Sequence, residues 1–214
     1  DVLFESAVGA STSLGSVSVS AVTIDVAAGL STNNADIDFS GVTGKTTLAG
    51  AIVTGGGDLI GAGTDFANTG TITTGGGAVN LNAQAGTIDI DANVTTLGGA
   101  FTATGASVFD SSGKTIATSG AVDTAAGAVT ITTGTGDLTT GPIYARGGSV
   151  TSGAGAAGGA VTLNSAGTLN VYGLIDTQGS AGGSNAGGAG GAIGLTGANG
   201  IVHSGTISTG GGSG

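Results

Sequence analysis

The chain has 214 residues, of which 48 are Gly and one is Pro, with no Cys, Met or Trp; 39% of the residues are hydrophobic and only 7% charged. A collagen triple helix is excluded because it needs glycine at every third position and abundant proline, and a disulfide framework or thiolate zinc site is excluded by the lack of cysteine. Thirteen acidic against three basic residues give a net charge of −10, which offers no positive surface to nucleic acid or to anionic lipid, and no apolar run is long enough for a membrane-spanning helix.

Residues 1–45 alternate in short stretches, Val17/Val19, Val22/Ile24/Val26 and Ile37/Phe39. They read as one or two coils less regular than those nearer the C-terminus. From residue 46 to 214 the chain repeats. One unit runs Gly77-Ala78-Val79-Asn80-Leu81, then Gly86-Thr87-Ile88-Asp89-Ile90, then Val94-Thr95-Thr96. It returns at Gly127–Ile131, Leu138–Thr140 and Ile143–Ala145, and again at Gly159–Leu163, Gly167–Val171 and Ile175–Thr177. A last copy covers Gly191–Leu195, Ile201–His203 and Ile207–Thr209.

Each unit holds three short segments of period-two alternation separated by Gly, Asn, Ser and Thr, the signature of strands with one face inward. Glycine recurs through the units too often to favour a helix. The third segments lead with Ile52, Ile72, Val94, Val122, Ile143, Ile175 and Ile207, at steps of 20, 22, 28, 21, 32 and 32 residues. A coil of about 20 residues therefore carries Gly/Ala/Ser-rich insertions, such as 152–158 and 180–190, expected as loops on one side.

Three strands per coil recurring once per coil predict an all-β fold, a parallel β-helix, right-handed because parallel crossovers almost always are. Val79, Val129, Val161 and Ile193 should form one interior column, Leu81, Ile131, Leu163 and Leu195 a second, and Ile88, Leu138, Leu169 and Ile201 a third. About nine coils at the interstrand spacing give a rod roughly 40 Å long. The whole of 1–214 is expected to be one solenoid segment of a longer repeat protein.

The units at Gly77–Gly99, Gly127–Gly148, Gly159–Gly179 and Gly191–Gly211, with Phe66–Ile72 and Phe101–Gly105, resemble the central repeats of filamentous haemagglutinin-like bacterial surface exoproteins. The resemblance covers about residues 50–214. It implies a long β-helix exported to the bacterial cell surface. The Asn-Pro-Asn-Gly motif of that family's secretion domain is absent, the one proline being Pro142, so the resemblance implies a shaft segment.

Few residues invite chemistry. His203 is the only histidine and aligns with Val171, an interior position; no partner for nucleophilic catalysis is apparent. Asp36/Asp38 and Asp89/Asp91 are i, i+2 pairs projecting outward, with Thr139, Asn170 and Val202 as later counterparts of Asp89. They read as a solvated face, with Ca²⁺ or sugar contact as the functional alternative. Gly55–Asp58 and Gly134–Asp137 resemble a calcium-binding nonapeptide turn but lack the tandem copies it needs. Gly113-Lys114-Thr115 lacks the upstream glycine of a phosphate loop. Thr71/Thr73, Thr102/Thr104 and Thr130/Thr132 raise the idea of a flat ice-binding ladder, against which the varying unit length argues. Tyr144 and Tyr172 are expected near one corner in successive coils, a conceivable sugar patch.

The sequence thus assigns no catalytic, cofactor-binding or metal residue and no enzyme activity, with Ca²⁺ the one conceivable cofactor. It predicts an extracellular structural shaft of a surface adhesin or filament, a spacer or polymerising fibre in attachment or biofilm. Its partners would be adjacent repeats, further copies end to end, and host or matrix glycans, with neither nucleic acid nor membrane insertion. The alternative is a carbohydrate-binding or carbohydrate-cleaving β-helix. Without an initiator Met or signal peptide in these residues, the chain is expected to begin within a longer polypeptide.

Overall fold

The computed structural model describes residues 1–12, 14–183 and 185–214. Among them there is no α-helix, and hence none long and apolar enough to cross a membrane. The strands form three parallel sheets, the walls of a right-handed β-helix. The first wall contains Val17–Ala21, Ile37–Val42, Leu59–Ala62, Val79–Asn82, Phe101–Thr104, Val129–Thr132, Val161–Ser165 and Ile193–Gly197. The second contains Val2–Phe4, Ile24–Val26, Lys45–Leu48, Asp65–Asn68, Thr87–Ile90, Val108–Ser111, Leu138–Thr140, Leu169–Val171 and Ile201–His203. The third contains Leu30–Ser31, Ile52–Val53, Ile72–Thr73, Val94–Thr95, Ile116–Ala117, Ile143–Tyr144, Ile175–Asp176 and Ile207–Ser208. Each strand pairs with its equivalent one coil away, so the residues before 46 belong to the same three walls as the later repeats.

The three anticipated interior columns exist, each with one member that the sequence pattern does not reveal. Phe101 lies between Val79 and Val129, Ala103 between Leu81 and Ile131, and Phe109 between Ile88 and Leu138. All three are buried. The coil between Phe101 and Ile116 escapes the pattern because its third strand is not where the spacing suggests. Val122 does not lie in the third column; Ile116 does, pairing with Val94 and Ile143. Ile116 is 0% exposed and Val122 is 58% exposed. Ala121-Val122 imitates the start of a third strand, yet it lies in an insertion that leaves the stack after Thr118.

Core volume is balanced coil by coil. Phe101 and Phe109 sit edge to face, with ring centroids 6.3 Å apart, and Ala103 occupies the other interior position of that first-wall strand. In the coil containing Phe66 the equivalent position is Gly61, where an added Cβ would come within 2.8 Å of the Phe66 ring and 3.0 Å of Leu81. A thin core packed to crystal-like density accepts a phenyl ring only where a neighbour shrinks.

The corner from third to first wall has its own device. Thr54, Thr74 and Thr96 are fully buried, and each donates its Oγ1–H to the carbonyl three residues on, at Gly57, Gly77 and Gly99. The intervening turn needs left-handed backbone: Gly75 has φ 69° and Gly76 φ 123°, and Leu97 occupies the Gly75-like place at φ 56°. In later coils the same clamp spans an insertion. Thr118 Oγ1 donates to Gly127 O at 2.8 Å, and Thr177 Oγ1 to Gly191 O at 2.8 Å. Gly159 N bonds to Ala145 O at 2.8 Å where a threonine is lacking. The insertions are therefore looped out at one corner while the walls continue undisturbed.

Candidate functional surfaces

The aspartates that looked like ligands serve mainly as staples between coils. Asp36 Oδ1 accepts the Asp58 N–H at 2.8 Å, and Asp58 Oδ1 accepts the Ala78 N–H at 2.7 Å. Asp65 accepts from Thr87 N at 2.9 Å, Asp137 from Thr168 N at 2.7 Å, and Asn93 from Thr115 N at 3.0 Å. At a corner the ladder lapses and leaves an amide without a backbone acceptor; a short acceptor side chain one coil away satisfies it. Asp58 and Asp137, the aspartates of the two glycine-rich motifs, both hold such a position. Asp38 instead caps its own turn at Ser40 N, 2.8 Å.

Asp89 and Asp91 differ. Asp89 stacks in register on Asp110, a neighbour that the repeat alignment does not show, and Asp110 on Thr139. Partial burial, then Asp91 and Asp110, raise the Asp89 carboxyl above the usual carboxylate range, with Lys45 acting in the opposite direction. Among the described residues no group of three or more His, Cys, Asp or Glu side chains is placed to hold a metal ion.

His203 pairs with Val171 as the alignment required, but it is exposed, because no further described strand covers the last coil. Val171, one coil earlier, is 0% exposed. The tyrosines are not stacked. Tyr144 lies in the third wall, in register with Ala117 and Asp176, whereas Tyr172 follows the second-wall strand that ends at Val171. The two tyrosines therefore stand in different columns of the coil.

The insertions build a lobe rather than separate loops. Gly147 N bonds to Gln178 O, Gly179 N to Gly210 O, Gly155 N to Ala186 O and Ser180 N to Ala156 O, all at 2.9–3.1 Å. Backbone packs on backbone: a Cβ at Gly188 would lie 2.0 Å from the Ala156 carbonyl oxygen. A groove of about 520 Å³ runs beside the lobe, lined by Ser119, Arg146, Gly148 and Ser180 among others. Arg146 Nε lies 3.5 Å from Asp176 Oδ2, the one ion pair among the described residues, and the Asp176 side chain is only 6% exposed. No apolar–polar alternation announces this lobe, since it is built mainly from Gly, Ala and Ser packed backbone on backbone.

The outer face of the first wall is regular. Asn80, Thr102, Thr130, Thr162 and Gly194 form one column in register, and Thr132, Asn164 and Thr196 continue a second begun by Asn82 and Thr104. The varying unit length does not disturb it, because the longer insertions lie at the corner. Thr71 and Thr73 do not belong to this face; Thr73 lies in the third wall.

No family model matches the chain, and comparison with curated proteins and with solved structures returns no match.

Proposed function

We propose that the chain is a structural shaft: a stiff segment of an extracellular bacterial surface protein that spaces or connects other parts of a filament. The observation that carries this reading is the unbroken parallel pairing of all three walls past insertions of different length. A load along the rod axis is borne by every inter-coil backbone hydrogen bond of a coil together, over a continuous apolar core. Each coil depends on its neighbours for burial.

Ile201, Val202 and Ile207 are about half exposed, whereas Leu169 and Ile175, directly beneath Ile201 and Ile207, are 0% exposed. Strand edges of this kind can pair with another chain, and the partner in this reading is a further copy end to end. The resemblance to filamentous haemagglutinin-like exoproteins agrees with this reading and adds the cell surface as location.

Immunogold electron microscopy of cells that make the protein tests it. Label along thin projections from the surface is expected. Label confined to the cell interior would overturn the proposal.

A further inference from the structure

We infer that the outer face of the first wall, from the Asn80 strand to the Thr196 strand, is an ice-binding surface. Across these five coils the outward residues are only Ala, Thr, Asn and Gly. No carboxylate or cation interrupts the face, although the chain carries a net charge of −10. An uncharged face suits an uncharged ligand, and the lack of aromatic rings disfavours sugars as that ligand.

The hydroxyls are also unspent. The buried corner threonines Thr54, Thr74 and Thr96 each donate to a carbonyl. By contrast, Thr102, Thr104, Thr130, Thr132 and Thr162 are partly or fully exposed and, among the described residues, have no side-chain hydrogen bond within the protein. Each offers a hydroxyl and a methyl group at a fixed lattice point, held by a stiff β-branched side chain.

The lattice is what selects the ligand. Successive coils repeat at about 4.8 Å, and i, i+2 residues along a parallel strand at about 6.6 Å. Water molecules joined tetrahedrally by O–H···O bonds of about 2.75 Å place second neighbours about 4.5 Å apart, and stacked layers repeat at about 7.3 Å. The mismatch along the rod is about 0.3 Å per coil, which accumulates to roughly 1.2 Å over the four steps between five coils. Across the two hydroxyl columns it is about 0.7 Å. Each misfit per step is small against the repeat it disturbs, so a patch of ordered water bound across a few coils continues into ice without a large misfit. Liquid water or a dissolved solute has no such repeat to match.

The test grows ice slowly on a cooled surface from a solution of the protein labelled at its amines, since neither Lys45 nor Lys114 lies on this wall. Wild-type label is expected inside the ice. Thr130→Tyr, which raises a ring above the plane, should lower uptake to the level of a non-binding protein, while Thr95→Tyr on the third wall leaves it unchanged. Thr162→Lys gives the same reading should Thr130→Tyr fail to give the wild-type circular dichroism spectrum. Exclusion of the wild-type protein from ice, or equal uptake of all variants, overturns the inference. So does a wild type that stays out of the ice yet binds crystalline cellulose or forms a dimer sensitive to Thr130→Tyr; the face would then belong to a polysaccharide or a second copy.

Discussion

Replacing Ile116 and Val122 separately by alanine asks the molecule which residue belongs to its core. Ile116 is 0% exposed and stacked between Val94 and Ile143, while Val122 is 58% exposed in the insertion. Ile116→Ala removes three buried carbon groups, about 2.4 kcal/mol at roughly 0.8 kcal/mol each. The cavity left behind adds to this, because a third-wall column clamped on both sides relaxes little, so the total is about 3–4 kcal/mol. Val122→Ala removes two carbons already largely in water and should change stability by no more than about 0.5 kcal/mol. Guanidinium unfolding followed by far-ultraviolet circular dichroism measures both, with the slope checked for constancy so that a midpoint shift reports stability. Equal shifts, or a larger one for Val122→Ala, would refute the register of the third wall and the placement of the insertion after Thr118.

Further outcomes are expected at the corners, the lobe and the acidic face. Leu97 holds a left-handed conformation at φ 56° with a 44% exposed side chain, so Leu97→Gly should raise stability by about 1 kcal/mol in the same unfolding assay. Thr96→Val keeps the shape but removes the donor to Gly99 O at 2.5 Å, and should lower stability by about 1–3 kcal/mol because a buried carbonyl loses its partner. Gly188→Ala should loosen the lobe, seen as faster amide exchange at Ser180 and Gly212, whereas Gly194→Ala, with nothing within 4 Å, should not. Asp89 has a raised carboxyl pKa in the folded chain, so the folded state binds the proton more tightly than the unfolded state. Its unfavourable contribution is absent below the ordinary carboxylate range and complete above the raised value. Asp89→Asn should therefore stabilise the protein at neutral pH, and unfolding midpoints measured down the pH scale should show that gain shrinking towards zero in acid.

Particular residues show how much of the fold and of its surfaces is legible in the sequence. Alternation and spacing place Ile72, Val94, Ile143, Ile175 and Ile207 in one column, and they do stack there. The exception is instructive: Ile116 and Val122 are both β-branched aliphatic residues six positions apart, and only the closing of the coil distinguishes them. The corner threonines look like ordinary turn residues, since their acceptors become visible only when the chain has bent back. The aspartates invite a ligand reading because a staple and a ligand share the same carboxylate chemistry; the amide that claims Asp58 or Asp137 lies 20 or 31 residues further on.

The sequence by itself determined which side of each strand faces the axis, because alternation has a period of two and every Val, Ile or Leu at an even step must leave water together. It also determined that the coils stack in parallel, since equivalent residues recur in the same order. Tertiary structure decided where the extra residues go, which glycines pack backbone on backbone in the lobe, and that Thr102, Thr130 and Thr162 stand in register on one wall with no side-chain hydrogen bond among the described residues. Those outcomes depend on contacts between residues a whole coil apart, and a local pattern carries no information about a partner that only the neighbouring coil brings near.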